Sequence, residues 1–290
     1  MIADLERVRI DGQAAAVADA CVPALERGLH YGDGLFETIA CVGGQPRLLE
    51  RHLRRLRLGC ERLGFAPVDA TTLAREACEL AAGTSQAVVK LLVTRGSSEA
   101  RGYALTGRER TRRISLRYAW KPEDPARVEQ GVRVRFATLR LGENPALAGI
   151  KHCNRLEQVL ARREWSDPAI AEALMFSRSG ALVSGTMSNV FLVRESKLLT
   201  PLLDQCGVAG IMRGLVLEIA AANGVDAEEC RLEAADVAAA EELFLTNALT
   251  GICPVSELEA VRRAPGPLTR ALQQKLAARL AAESNPGGAD

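Results

Sequence analysis

Histidine is rare in this chain, three residues in 290, and the eight cysteines include no C-x-x-C pair, so a zinc site is not expected. Cys21, Cys41, Cys60, Cys78, Cys153, Cys206, Cys230 and Cys253 are scattered without a disulfide framework and read as free, buried thiols. No run of about 18 apolar residues occurs, which excludes a membrane-spanning helix. The opening Met1-Ile2-Ala3-Asp4-Leu5-Glu6 lacks the basic and apolar stretches of a secretory leader, and a cytoplasmic protein is expected. A formal net charge of +1 supplies no strong field, so neither nucleic acid nor a membrane surface is an expected partner.

What the chain has is apolar content. Hydrophobic residues make up 48% of it, enough at this length for a large core in one or two domains. The patterning predicts short strands over 87–94, 113–119, 132–138, 173–176, 190–193 and 242–245. It predicts helices over 48–63, 71–82, 155–164, 212–223 and 267–282, and Gly64, Gly83 and Gly224 follow three of these as C-terminal stops. The proline-bracketed run Lys121-Pro122-Glu123-Asp124-Pro125-Ala126 predicts a linker over 121–127. It would separate a smaller N-terminal α/β domain, 1–120, from a larger C-terminal domain, 128–284, with a flexible tail at 285–290.

The most informative stretch is Ala148-Gly149-Ile150-Lys151-His152-Cys153-Asn154-Arg155-Leu156-Glu157-Gln158-Val159-Leu160. Asn154 and Glu157 have capping-box spacing, and Leu156, Val159 and Leu160 repeat at helical spacing, so a helix is expected just after Lys151. An amine held among apolar groups loses solvation of its charged form, which frees the lone pair needed for Schiff-base chemistry. Taken alone, Lys151 reads as readily as a surface lysine.

Motifs along nearly the whole chain decide between the two. Tyr31-Gly32-Asp33-Gly34-Leu35-Phe36-Glu37-Thr38 comes first, then His52-Leu53-Arg54-Arg55-Leu56, then Arg95-Gly96 with Arg101-Gly102-Tyr103. After the lysine come Glu172-Ala173-Leu174, Ser188-Asn189-Val190-Phe191, Gly207-Val208-Ala209-Gly210-Ile211-Met212-Arg213, and Thr246-Asn247-Ala248-Leu249 before Pro254-Val255. In this order they resemble the fold-type IV pyridoxal-phosphate enzymes: the branched-chain and D-amino-acid transaminases and the aminodeoxychorismate lyases. The run from Gly149 to Leu160 is most similar to the lyase branch.

The resemblance implies a mixed α+β and α/β architecture in two domains, the larger with a barrel-like sheet. It implies a pyridoxal 5'-phosphate cofactor bound through Lys151, with Thr38 near that lysine, and a homodimer acting on a small-molecule substrate. Arg55 matches the family's phosphate-binding arginine, although Arg47, Arg51, Arg54 and Arg57 surround it and spacing alone does not single it out. The glycine turn before Ile211 and Met212 opens a helix, whose first N–H groups favour an anion. Ser184, Ser188, Asn189, Asn247 and Ala248 complete the implied cofactor contacts, and Arg95, Arg101 and Tyr103 are the implied substrate contacts.

One position departs from the family. Five residues before the asparagine equivalent to Asn189, the transaminases carry a glutamate that pairs with the cofactor's pyridine nitrogen; here that position is Ser184. A carboxylate keeps the nitrogen protonated, whereas a hydroxyl can donate to a neutral nitrogen and leaves a poorer electron sink. Either Ser184 faces the ring or a nearby residue supplies the carboxylate. Elimination that makes a ring aromatic needs less carbanion stabilisation, so the departure points to the lyase reaction, which forms 4-aminobenzoate and pyruvate. A transaminase of the same fold is the alternative.

Overall fold

The segment over 87–94 becomes a central strand because its apolar residues lie against helices on one face of a sheet. The structure, a computed structural model, describes residues 4–99, 101–122 and 124–284. The expected tail at 285–290 lies outside the described residues, as does Glu123 of the expected linker. The chain divides between Lys121 and Pro122 into two units, and Ile150–Asn154 belongs with the first although a linear reading puts it in the second.

The first unit runs β1 (Leu5–Ile10), β2 (Gln13–Ala15), α1 (Arg27–Tyr31), β3 (Gly34–Val42), β4 (Gln45–Pro46), α2 (Leu49–Arg62), α3 (Ala70–Ala81), β5 (Gln86–Thr94) and β6 (Arg112–Ala119). Its six strands form an antiparallel sheet in the order β2-β1-β6-β5-β3-β4. α2 packs on β3 and α3 on β5, burying Leu53, Leu56, Leu73 and Leu80. Each such leucine contributes about 1.5–3 kcal/mol. Gly59 permits the close approach of α2, since a Cβ there would lie 2.8 Å from a methyl of Leu35. Asp69 starts α3 by accepting from the N–H groups of Thr71 and Thr72. Strand β3 escapes the periodicity reading because its fully buried face carries the charged Glu37 beside Leu35, Ile39 and Cys41, while apolar Phe36 lies on the partly buried face.

The second unit runs α4 (Pro125–Gln130), β7 (Val132–Leu141), α5 (Leu156–Arg162), β8 (Ile170–Ser177), β9 (Leu182–Gly185), β10 (Asn189–Arg194) and β11 (Lys197–Pro201). It continues with α6 (Ile211–Ala222), β12 (Ala227–Cys230), α7 (Ala234–Ala239), β13 (Glu242–Asn247), β14 (Gly251–Leu258), β15 (Val261–Arg262) and α8 (Pro267–Ser284). Eight strands follow the path β12-β11-β10-β13-β14-β7-β8-β9, with β15 on β14. On a flat sheet β9 would lie five strand spacings, about 24 Å, from β10. Residues 186–188 join the two strands directly and reach at most about 14 Å. The sheet therefore curls back on itself, as the resemblance implies. Leu174, Val190, Leu192, Leu243 and Val255 fill its core, and Phe191 stacks on Phe244 with centroids 4.9 Å apart.

The proline-bracketed run turns out to begin a helix. Asp124 caps α4 by accepting from Ala126 N–H, and Pro125 takes the first turn, where its missing N–H costs nothing. No disulfide joins any of the eight cysteines; Cys41, Cys60 and Cys253 are buried as expected, whereas Cys21 is exposed and the other four are partly buried. No helix among the described residues is long and apolar enough to cross a membrane.

Candidate active site

Lys151 is placed by an open strand edge. β4 pairs only with Cys41 and Val42, so the first half of β3 has an edge to fill. Residues 151–153 fill it: Phe36 N–H donates to Lys151 O at 3.0 Å, Leu35 bridges His152, and Cys153 N–H donates to Gly34 O at 2.8 Å. The half-buried Lys151 lies with Nζ 4.4 Å from the Phe36 ring centroid, beside fully buried Ile150. The expected capping box does not form. Asn154 spends its amide on Gly32 O at 3.2 Å, Glu157 accepts from Gly142 N–H at 2.7 Å, and α5 starts at Leu156 without a side-chain cap. Leu156, Val159 and Leu160 face outward, 75%, 54% and 48% exposed.

Thr38 shares the face of β3 that carries Phe36 and stands directly opposite Lys90 on β5. Lys90 Nζ lies 5.1 Å from the same Phe36 centroid and makes no ion pair among the described residues. Sequence reasoning passed over Lys90, although a lone cation inside the apolar run Ala87-Val88-Val89-Lys90-Leu91-Leu92-Val93 was the available signal.

Arg55 reaches from α2 to Glu37 on β3, donating from Nε to Oε1 at 2.8 Å and from Nη2 to Oε2 at 2.5 Å. His52, three residues before it on the same helix face, donates from Nδ1 to Glu37 Oε2 at 2.7 Å. Glu37 is fully buried. Burial alone would raise its pKa, but the Arg55 charge and the hydrogen bonds from His52 and Arg55 outweigh that and hold it at about 2. Burial pushes His52 below its ordinary range, so its ring is neutral at pH 7.

Arg95 is held by Asp33 and two backbone carbonyls. It donates to both oxygens of Asp33 and to the carbonyls of Leu63 and Gly64, which commits four of its five N–H groups. Arg27 takes the same Asp33 and holds the carbonyls of Gly102 and Tyr103. Tyr103, 82% exposed, rests against Tyr31 with ring centroids 5.2 Å apart, and Arg101 is exposed on that same anchored loop.

In the second unit, Ser184 is buried on β9 opposite Met175, and its hydroxyl donates to Gly185 O at 2.8 Å. The carboxylate of Glu172, buried on β8, receives five donors: the N–H groups of Ala173, Thr186 and Met187 and the hydroxyls of Thr186 and Ser188. It fixes the 186–188 turn and has no capacity left to replace the missing glutamate.

Asn189 donates from Nδ2 to Val208 O at 2.9 Å. Gly149 exchanges hydrogen bonds with Gly207 O and Ala209 N–H, both at 3.0 Å. The glycine turn is thus strapped from two sides. A Cβ on Gly210 would lie 2.0 Å from Asn189 Oδ1, so only glycine fits there. Gly210 begins α6 with no side-chain cap and no acidic residue in the first turn, which leaves the N–H groups around Ile211 and Met212 to an anion. Opposite Asn189, Thr246 has a buried hydroxyl without a partner. Asn247 turns the chain by accepting from Leu249 and Thr250 N–H, with Ala248 between. An uncapped helix start, a glycine cradle and an orphaned hydroxyl are the donor chemistry that a phosphorylated cofactor needs, and the residues fit pyridoxal 5'-phosphate.

This chain belongs to the class IV aminotransferase family, whose model matches residues 34–258. That is the family its motifs resemble. Within it, the chain is 33% identical over 259 residues to the aminodeoxychorismate lyase of Vibrio harveyi, covering 88% of this chain and 95% of that one. The crystal structure of 4-amino-4-deoxychorismate lyase from Pseudomonas aeruginosa matches with a TM-score of 0.89 and 44% identity, over 94% of this chain and 99% of that one. The branched-chain amino acid aminotransferase of Escherichia coli shares the fold, with a TM-score of 0.83 at 22% identity, over 96% of this chain and 95% of that one.

Proposed function

We propose that this chain is a pyridoxal 5'-phosphate-dependent lyase that converts 4-amino-4-deoxychorismate to 4-aminobenzoate and pyruvate, a step of folate biosynthesis. The observation that carries the reading is Lys151 at the head of a lyase-like run, in a chain 44% identical to a solved lyase. When bound, the cofactor would draw electrons from the carbon that bears the substrate amine. By the resemblance, Lys151, Arg55, Ser184, Ser188, Asn189, Ile211, Met212, Asn247 and Ala248 would hold it.

Lys151 takes the proton from the amine-bearing carbon and passes it to the departing enolpyruvyl oxygen. Loss of that oxygen makes the ring aromatic, so Ser184 suffices where a transaminase needs a carboxylate. The substrate carries two carboxylates, which call for cations: Lys90 beside Phe36 and Arg101 on the anchored loop, with Thr38 and Tyr103 nearby. Arg95 holds that loop in place through Asp33 instead of meeting substrate.

The outward leucines and valine of α5 support a homodimer, because an apolar strip of that kind is ordinarily covered by a partner. Free thiols support a cytoplasmic location. Incubating the purified protein with chorismate, glutamine and an aminating partner enzyme tests the reading. Formation of 4-aminobenzoate with stoichiometric pyruvate is expected; a keto acid formed from added amino acids, without pyruvate, would assign a transaminase.

A further inference from the structure

The guanidinium of Arg55 is gripped from behind. Glu37 takes its Nε and Nη2 edge at 2.8 and 2.5 Å, and His52 Nδ1 donates to the same carboxylate at 2.7 Å. His52 and Arg55 share one face of α2, and Glu37 meets that face from β3 while Phe36 and Thr38 point to the other side of the sheet. Glu37 and His52 are 0% and 1% exposed. A planar group held along one edge by two bonds neither swings nor twists, so its other edge has a single direction.

We propose that Glu37 and His52 are positioning residues that lock Arg55 as a preformed fork for the cofactor's phosphate, so that preference for the phosphorylated cofactor depends on them. This rests on the function proposed above, in which Arg55 meets that phosphate. A locked fork gives up no side-chain freedom on binding, which is where its advantage lies. Simple electrostatics predicts the opposite sign: Glu37 offsets the charge of Arg55, so removing the carboxylate charge would strengthen phosphate binding.

The test is titration of the full-length protein with pyridoxal 5'-phosphate and, separately, with pyridoxal. Both ligands carry the aldehyde, so the ratio of their affinities isolates the phosphate. Arg55→Ala is expected to lower the ratio roughly 30-fold, and Glu37→Gln roughly 5- to 10-fold, with the double variant no lower than Arg55→Ala. His52→Leu, which removes the donor, should lower the ratio, and His52→Asn, which keeps a donor near the Nδ1 position, should restore it.

Stronger phosphate binding in Glu37→Gln, equal losses for both ligands, or additivity in the double variant overturns the proposal. If Glu37→Gln does not fold, the two His52 variants decide by the same ratio. A wild-type protein that binds neither ligand overturns the lyase reading itself, whereas a wild-type protein that binds both with additive variants overturns only the lock.

Discussion

Phe36 and Lys151 meet twice: the Phe36 N–H donates to the Lys151 carbonyl at 3.0 Å, and the Lys151 ammonium lies 4.4 Å from the Phe36 ring centroid. The backbone bond sets where the lysine stands along β3, and the ring sets where its nitrogen rests. Lys90 approaches the same ring at 5.1 Å, so one aromatic side chain organises two amines.

Two amines at one ring make the covalent assignment a sharp test. Borohydride reduction of the cofactor-loaded protein should attach the label to Lys151 alone, read by peptide mass spectrometry. Label on Lys90 would transfer the covalent role to β5.

Glu172 is committed to five donors, so the proposed partner of the ring nitrogen is Ser184, whose hydroxyl would turn from Gly185 O to reach it. Ser184→Ala removes a neutral hydrogen bond worth about 1 kcal/mol and should be mild in lyase rate. Ser184→Glu should raise transaminase side activity, measured as keto acid formed per turnover. Unchanged transamination in Ser184→Glu would show that Ser184 does not face the nitrogen.

Gly210 and Asn189 are coupled by the 2.0 Å that a Cβ would leave between them. Gly210→Ala should weaken cofactor retention by at least tenfold, about 1.4 kcal/mol, as the helix start shifts. A Gly210→Ala protein that retains cofactor fully on dialysis would separate the turn from the phosphate.

Acid should destabilise the protein through the buried trio. His52 is held below its ordinary range by burial, against Glu37 and with Arg55 and Lys151 as neighbouring cations, so its stabilisation is complete above about pH 6.5 and falls as pH drops. Glu37 is lowered from 4.5 to about 2, so its contribution, on the order of 3 kcal/mol, is present above pH 4.5 and lost as pH falls towards 2. Both groups bind more protons unfolded, which gives stability that rises with pH over this window. Urea unfolding between pH 7 and pH 3 should show that slope, and Glu37→Gln should flatten its lower part.

The sequence by itself determined what is local. The strand over 87–94 forms as Gln86–Thr94 and the helix over 71–82 as Ala70–Ala81, because periodicity and capping act within a few residues. Gly64, Gly83 and Gly224 take the positive φ that ends a helix. The order of motifs identified the family and singled out Lys151. Tertiary structure alone decided the rest. Asn154 and Glu157 have capping-box spacing, yet each is drawn to a backbone group distant in sequence, Gly32 and Gly142. Arg95 is a substrate contact by resemblance, and only the fold shows four of its N–H groups on Asp33 and two carbonyls. Glu37 lies in a motif and Lys90 in an apolar run, but only β3 and β5 side by side show one charge buried against Arg55 and the other beside the Phe36 ring. Hydrogen bonds and ion pairs between residues far apart in sequence leave no periodic trace, because their partners are chosen by the folded chain.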